Sequence, residues 1–316
     1  MCRLKSAIIL QDRVYIPDHD GHSDMLDELG IADTQQNAEK LFVRAELTPK
    51  DIFDPVDNWT YIVDQDILPD WYVAEYDKQR MIDAVKEWAK NHIHQNVSNL
   101  KITGDTHYCK NCTNLIIDGG TAKIYDGTAN IYDGTAYIYD DGTAYISGGT
   151  AYISGGTADI SGGTAYIHDG TAYIHGGTAY IYYGGKAYIY DDGTANIYGG
   201  TAYIYDGGTA NIHGGKAYIY DGGTANIHGG KAYIYDGTAN IRGGTAKIYD
   251  GTANIYDGTV EIYDGVGIIP TVSSVDISNI TLYDNATLKD CRTKMIYQSG
   301  DWQYKQVDNR GDNNGD

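Results

Sequence analysis

One short motif fills nearly half of the chain and dictates what it can fold into. From Gly120 to Asp264 the unit Gly-Thr-Ala-x-Ile-x recurs twenty times, each copy closed by Asp, Gly or both. Every copy keeps the Gly and the Ile. Nineteen keep the Ala, with Val260 the exception, and seventeen keep the Thr, with Lys186, Lys216 and Lys231 in its place. A unit this short and regular is one strand plus one turn, stacked on its neighbours.

The alternation inside the unit assigns the sides. In Thr-Ala-Tyr-Ile-Tyr, Ala and Ile point one way, and Thr and the two variable residues point the other. Gly then supplies the turn, because it accepts positive φ without steric cost. A strand of about five residues cannot bury Ala and Ile by itself and needs a second sheet facing it. The expected fold is therefore mostly β: a two-sheet β-solenoid, or β-roll, of two 7–8-residue repeats per coil and about ten coils. A small α+β region precedes it. A single meander of twenty hairpins would leave its Ala/Ile face and long edges open to aggregation, which disfavours it.

A second period supports two repeats per coil. Asn196, Asn211, Asn226, Asn240 and Asn254 recur every 14 or 15 residues, and Tyr188, Tyr203, Tyr218 and Tyr233 every 15. Each series is expected to stack as a column, Asn on one face and Tyr on the other. Extra residues in some spacings belong in turns, where insertion is tolerated. Small Ala opposite large Ile predicts a thin, dry interior.

Composition changes near Asp118. Residues 1–118 hold four of the five prolines, three of the four tryptophans and both phenylalanines. The reading is an α+β head over 1–95, capping coils over 96–119, the regular solenoid over 120–264, and degenerate coils, a hairpin and a polar tail over 265–316. In the head, Ser6-Ala-Ile-Ile-Leu10 with Arg13-Val-Tyr-Ile-Pro17 reads as a hairpin. Residues 23–29 read as a short helix and Trp59-Thr-Tyr-Ile-Val63 as a strand. A longer helix is expected over 70–93, capped by Asp70, with Met81, Ile82, Val85, Trp88, Ala89 and Ile93 on one face. Leu100-Lys-Ile102 and Leu115-Ile-Ile117 suit degenerate first coils. Val275-Asp-Ile277, Ile280-Thr-Leu282 and Ala286-Thr-Leu288 suit the last ones, with a hairpin over 295–306. Atypical ends are expected because open sheet edges recruit other chains.

The charged start lacks the apolar core of a signal peptide, and no stretch has the length of a transmembrane helix. Four scattered cysteines do not make a disulfide framework. The expected location is cytoplasmic or phage-associated, without membrane insertion.

The head, through Cys2-Arg-Leu-Lys-Ser-Ala-Ile-Ile-Leu10, Asp64-Gln-Asp-Ile-Leu-Pro-Asp-Trp-Tyr72, Tyr76-Asp-Lys-Gln-Arg-Met81 and Val85-Lys-Glu-Trp-Ala89, resembles an uncharacterised family of gut anaerobic bacteria and their phages. Such proteins join a head of this kind to a variable short-repeat tail. The resemblance spans roughly residues 1–100 and implies a setting, not an activity. In period alone the tail is similar to plant β-roll antifreeze proteins.

Candidates for chemistry are sparse. Cys109-Lys-Asn-Cys112 has metal-ligand spacing near His92, His94 and His107, but it lacks a second pair, and two small residues in a degenerate coil turn are the simpler reading. His213 and His228 should stack as an exposed ladder that ends at Arg242, while His168 and His175 fall on opposite faces. No nucleophile–base set or phosphate loop stands out. Arg310-Gly-Asp312 spells an adhesion tripeptide in a polar tail, where chance explains it. No metal and no cofactor are expected.

The acidic balance, a formal net charge of −20, has one ordered component. Asp191, Asp206, Asp221, Asp236, Asp250 and Asp264 fall at the same turn and make an acidic edge, with Lys186, Lys216 and Lys231 near the opposite edge. Imitating duplex DNA over ~48 Å would take about 28 charges. The repeats hold 15 acidic and 6 basic residues, and Asp is also a good turn former. Direct nucleic-acid binding is not expected.

Tyrosine distinguishes the roll: 23 of 31 lie in the repeats, which contain no Phe. Tyr offers rigid contact area with a polar tip. The columns could equally serve to shield the sheets and each other. The function expected is a non-enzymatic, elongated scaffold or protein-interaction module. Its binding surface would be Tyr188, Tyr190, Tyr203, Tyr205, Tyr218, Tyr220, Tyr233 and Tyr235, its partner a protein, and its oligomeric state open. Alternatives are an acidic inhibitor of a DNA-processing or host-defence enzyme, a carbohydrate-binding adhesin, and an enzymatic head. Ice binding is disfavoured by bulky Tyr beside the Thr ranks.

Overall fold

The computed structural model describes residues 5–140, 142–299 and 305–306. The head is a four-stranded antiparallel sheet, β2-β1-β3-β4, built from β1 (Lys5–Leu10), β2 (Val14–Tyr15), β3 (Phe42–Thr48) and β4 (Thr60–Val63). The β1–β2 hairpin and β4 fall where the alternation places them. β3 pairs with both β1 and β4 and was not singled out from sequence. Its signal is there: Val43, Ala45 and Leu47 are buried at period two.

Three helices cover this sheet: α1 (His22–Glu28), α2 (Gln35–Ala38) and α3 (Ala74–His92). α3 starts four residues later than expected, and Asp70 does not cap it. Tyr72 N–H bonds Pro69 O at 3.0 Å in a turn before the helix. The buried Asp77 then takes the capping role from inside the first turn, its Oδ2 accepting from Val73 N–H at 2.7 Å. Met81, Ile82 and Val85 are buried, with Trp88, Ala89 and Ile93 packed beside them, as the periodicity requires.

The repeats and the irregular coils flanking them form a β-solenoid of about 12 turns. Each strand pairs in parallel with the strand two repeats away, Thr201-Ala-Tyr-Ile204 with Lys216-Ala-Tyr-Ile219 and Thr194-Ala-Asn-Ile197 with Thr209-Ala-Asn-Ile212. Parallel pairing excludes the meander. Every repeat Ala and Ile is at most 1% exposed, so the interior is one continuous Ala/Ile column. Val260 takes an Ala place and pairs with Ala246. Glycine recurs for two reasons. Gly215 has φ +81°, and a Cβ there would lie 2.4 Å from Gly200 O. Gly208 has ordinary φ, but a Cβ would lie 2.8 Å from the Ile189 Cγ2 methyl.

The turns beyond the expected ten come from irregular coils. At the front, Ile93–Gln95 pairs with residues 108–110, and Lys101–Ile102 with 116–117. At the back, Val266–Ile269, unremarked in the sequence, pairs with Thr287–Asp290. Ile280–Leu282 is a strand as expected, whereas Ile277–Asn279 is a single 3-10 turn.

Both ends are covered. Ile93 continues directly from α3 into the first solenoid strand, and Ile93 and Tyr108 pack on the head's core. Gln95 Nε2 donates to Phe53 O at 2.9 Å, and the Phe53 and Tyr125 rings meet edge-on at 5.4 Å. At the far end Met295–Gln298 pairs antiparallel with Thr287–Asp290, and Lys305–Gln306 pairs with Met295 and Ile296. That reversal ends the parallel ladder. Cys2, Trp302 and Arg310-Gly-Asp312 lie outside the described residues.

Candidate functional site

The two sheets carry different side chains along the second half of the roll. On one, Tyr173, Tyr188, Tyr203, Tyr218 and Tyr233 form a column, in register across successive coils. A second column beside it runs Tyr190, Tyr205, Tyr220, Tyr235, Tyr249, Tyr263 and Tyr283. The three lysines that replace the motif Thr, Lys186, Lys216 and Lys231, start strands of this same sheet. The eight tyrosines anticipated as a surface are thus together on what we term the tyrosine face.

The opposite face carries Thr at nine successive strand starts from Thr135 to Thr252. Beside them the Asn column is hydrogen-bonded from coil to coil. Each Nδ2 donates to the preceding Oδ1: Asn211 to Asn196 at 3.1 Å, then Asn226 to Asn211, Asn240 to Asn226 and Asn254 to Asn240 at 3.0 Å. In the first half the asymmetry is reversed, with Asn130, Tyr145 and Asp159 on the sheet that later becomes the tyrosine face. Earlier, Tyr137, Tyr152, Tyr166 and Tyr180 stack on the same sheet that later bears Asn.

The ring geometry decides what the tyrosine face can do. In both columns successive centroids are 4.7–5.2 Å apart and the planes are 2–13° from parallel. Each ring's π-faces are therefore covered by its neighbours, and the surface offers ring edges and hydroxyls. Stacking a sugar or a cation on a ring face is closed off along the column. Burial, and then the neighbouring phenols, push Tyr190, Tyr205, Tyr220 and Tyr235 above the ordinary phenol value of 10.0.

The six aspartates all follow strands of the tyrosine-face sheet and make one row. They also build turns. Asp191, Asp206 and Asp221 adopt left-handed φ of 46°, 39° and 42°, which Asp tolerates better than most residues. Asp250 Oδ1 accepts from Gly251 N–H at 2.7 Å, and Asp264 Oδ1 from Asn285 Nδ2 at 2.8 Å.

Cys109 and Cys112 are fully buried and belong to the solenoid core, which corrects their placement in a turn. Burial, then Cys112, pushes the Cys109 thiol up to about 12, against thiolate chemistry. The nearby histidines instead form a stack Trp88–His92–His107–His94. His213 and His228 stack at 5.1 Å, and Arg242 next in that column lies over Tyr256. His168 and His175 stack on Tyr182 and Tyr190, in columns on opposite faces.

Among the described residues, two groups could hold a divalent cation: Asp18, His92 and Asp105, and His22, Glu46 and Asp64. In each, one imidazole nitrogen meets a backbone carbonyl, His92 Nδ1 to Trp88 O at 2.7 Å and His22 Nε2 to Ala45 O at 3.3 Å. The other nitrogen faces a carboxylate, Asp18 at 3.2 Å and Asp64 at 3.4 Å. Sequence reasoning missed both because the members come from distant segments with no shared motif. The same contacts suit imidazole–carboxylate pairs.

No protein-family model, curated protein or solved structure matches this chain. Among the described residues no helix is long and apolar enough to cross a membrane.

Proposed function

We propose that the protein is a non-enzymatic, elongated scaffold whose tyrosine face captures a protein partner. The observation that carries this is the pair of continuous Tyr columns confined, in the second half of the roll, to one sheet. Mutual shielding explains why rings stack, and the opposite sheet of these coils also carries one stacked column, Tyr182–Tyr198–His213–His228. At its other outward position, however, an Asn ladder takes the place of Tyr, so stability does not require two Tyr columns on one sheet. Rigid ring edges with hydroxyl tips suit a protein surface, and a few aromatic anchors dominate such interfaces, at about 2 kcal/mol or more each. The covered ring faces weigh against a carbohydrate adhesin. The turn-building role of the aspartates gives them a reason to exist without DNA mimicry. The head's resemblance suggests a setting in gut bacteria or their phages, cytoplasmic or phage-associated.

The test is capture by the intact chain against a variant with Tyr203, Tyr205, Tyr218 and Tyr220 changed to Thr. The variant should fold and lose its partner, whereas Asn211→Thr with Asn226→Thr should keep it. Capture that survives the Tyr changes and fails when Asp206, Asp221 and Asp236 become Asn would replace this reading with the acidic inhibitor.

A further inference from the structure

We infer that the tyrosine face also closes on a second copy of this chain, the two rolls packed face to face with their axes parallel. The inference rests on the tyrosine face being a contact surface and names the partner that its edges fit. Lys186, Lys216 and Lys231 stand at the upstream edge of the sheet, and Asp191, Asp206, Asp221 and Asp236 at the downstream edge. All seven are exposed. Among the described residues none of their side chains makes a hydrogen bond or ion pair, although they lie in straight rows either side of the aromatic columns.

A two-fold axis along the solenoid reverses the direction across the strands and leaves the direction along the roll unchanged. It sets Lys186, Lys216 and Lys231 opposite Asp191, Asp221 and Asp236 of the second copy, and the reverse, at every matching coil. A two-fold along the strands would set Lys against Lys and Asp against Asp. Charge therefore selects one orientation, in the isologous form that closed dimers use. The copies share one axial period, so ring edges of one can mesh with those of the other along the whole face. The eight strands from Thr171 to Leu282, at ~4.8 Å spacing and ~16 Å width, give a footprint of ~610 Å² per chain, ~1,200 Å² in all, at the lower end of stable interfaces.

Light scattering on the full chain should give the mass of a dimer. Lys186→Glu with Lys216→Glu and Lys231→Glu should raise the dimer dissociation constant at least about tenfold. Asp191→Lys with Asp221→Lys and Asp236→Lys should do the same, and mixing the two variants should restore a heterodimer. Lys strains the left-handed turns at 191 and 221, so Asp191→Asn with Asp221→Asn and Asp236→Asn provides a variant that keeps them and should also weaken the dimer. In a mixture of isotopically heavy and light chains, a zero-length carbodiimide should join Lys216 of one chain to Asp221 of the other. A monomeric wild type, a dimer untouched by the Lys→Glu and Asp→Asn sets, or cross-links confined within chains would overturn the inference. A monomer whose partner capture still depends on the four tyrosines would leave the proposed function standing. A dimer with capture independent of them would do the reverse.

Discussion

Arg292 grips the carboxylate of Asp290 with two parallel hydrogen bonds, Nε to Oδ1 and Nη2 to Oδ2, both 3.0 Å. Asp290 is buried and pairs with Ile269, in the inward place that every regular strand gives to Ile. Arg292 Nη1 also donates to Val275 O at 2.6 Å, so one guanidinium ties the last parallel strand to the preceding loop. Arg292→Met would leave a buried unpaired carboxylate and should cost about 3–5 kcal/mol, whereas the double change Asp290→Leu with Arg292→Met should come close to neutral. Denaturant unfolding of both variants checks this.

The same pair sets an acid dependence. Burial pushes the Asp290 carboxyl up, but the Arg292 hydrogen bonds outweigh it and hold the group below its ordinary 3.8. A depressed carboxyl contributes stability that is complete above the unfolded value and is lost as pH falls through the folded one. The wild type should therefore lose stability below about pH 4 more steeply than the Leu/Met double variant does. Parallel acid slopes would contradict the account.

At the alkaline end the sign reverses. Tyr190, Tyr205, Tyr220 and Tyr235 lie above 10.0, first through burial, and Cys109 is at about 12. Groups raised on folding contribute stability that is full below the unfolded value and fades as pH climbs through the folded one. Stability should begin to fall above about pH 9, where Cys109 ionises in the unfolded chain, and more steeply above about pH 10, with phenolate absorbance lagging that of the unfolded chain. Cys109 should resist alkylation at neutral pH until the solenoid opens.

Inside and outside are separable by two neighbouring substitutions. Ile204 is fully buried, so Ile204→Asp puts a charge into a layer without a polar partner and should prevent folding of that region. Tyr203→Ala removes one stacked ring and should cost only about 1 kcal/mol. Equal losses in thermal unfolding would mean the faces are assigned wrongly.

The coil itself can be tested by deletion. Removing residues 208–222, one full coil, should leave a folded, shorter rod, because contacts lie mainly between neighbouring coils. Removing residues 208–214 alone moves every later strand to the other sheet and should be far more damaging. Similar circular dichroism and melting for both would count against two repeats per coil.

The regular roll was legible because Gly, Ala and Ile recur without a break, and a single period fixes both turn and core. The ends were harder. Val266–Ile269 carries Gly267 where the motif has Ala and shares no other letter with it but Ile269, so its pairing with Thr287–Asp290 was visible only in space. β3 was legible in the alternation of Val43, Ala45 and Leu47 with Arg44 and Glu46, whereas the start of α3 was not, because Asp77 caps from within the helix. Which tyrosines share a face followed from spacing. That their π-faces are covered did not, since it depends on ring rotation, which no sequence pattern encodes.

The central claim is that one face of the roll does the binding, and tyrosine-resolved footprinting by mass spectrometry tests it directly. The chain is labelled alone, dilute enough to be monomeric, and with its captured partner. The account predicts protection of Tyr203, Tyr205, Tyr218 and Tyr220 in the complex, with His213 and His228 on the opposite face unchanged. Protection of the two histidines with the four tyrosines left as reactive as in the free chain would contradict it.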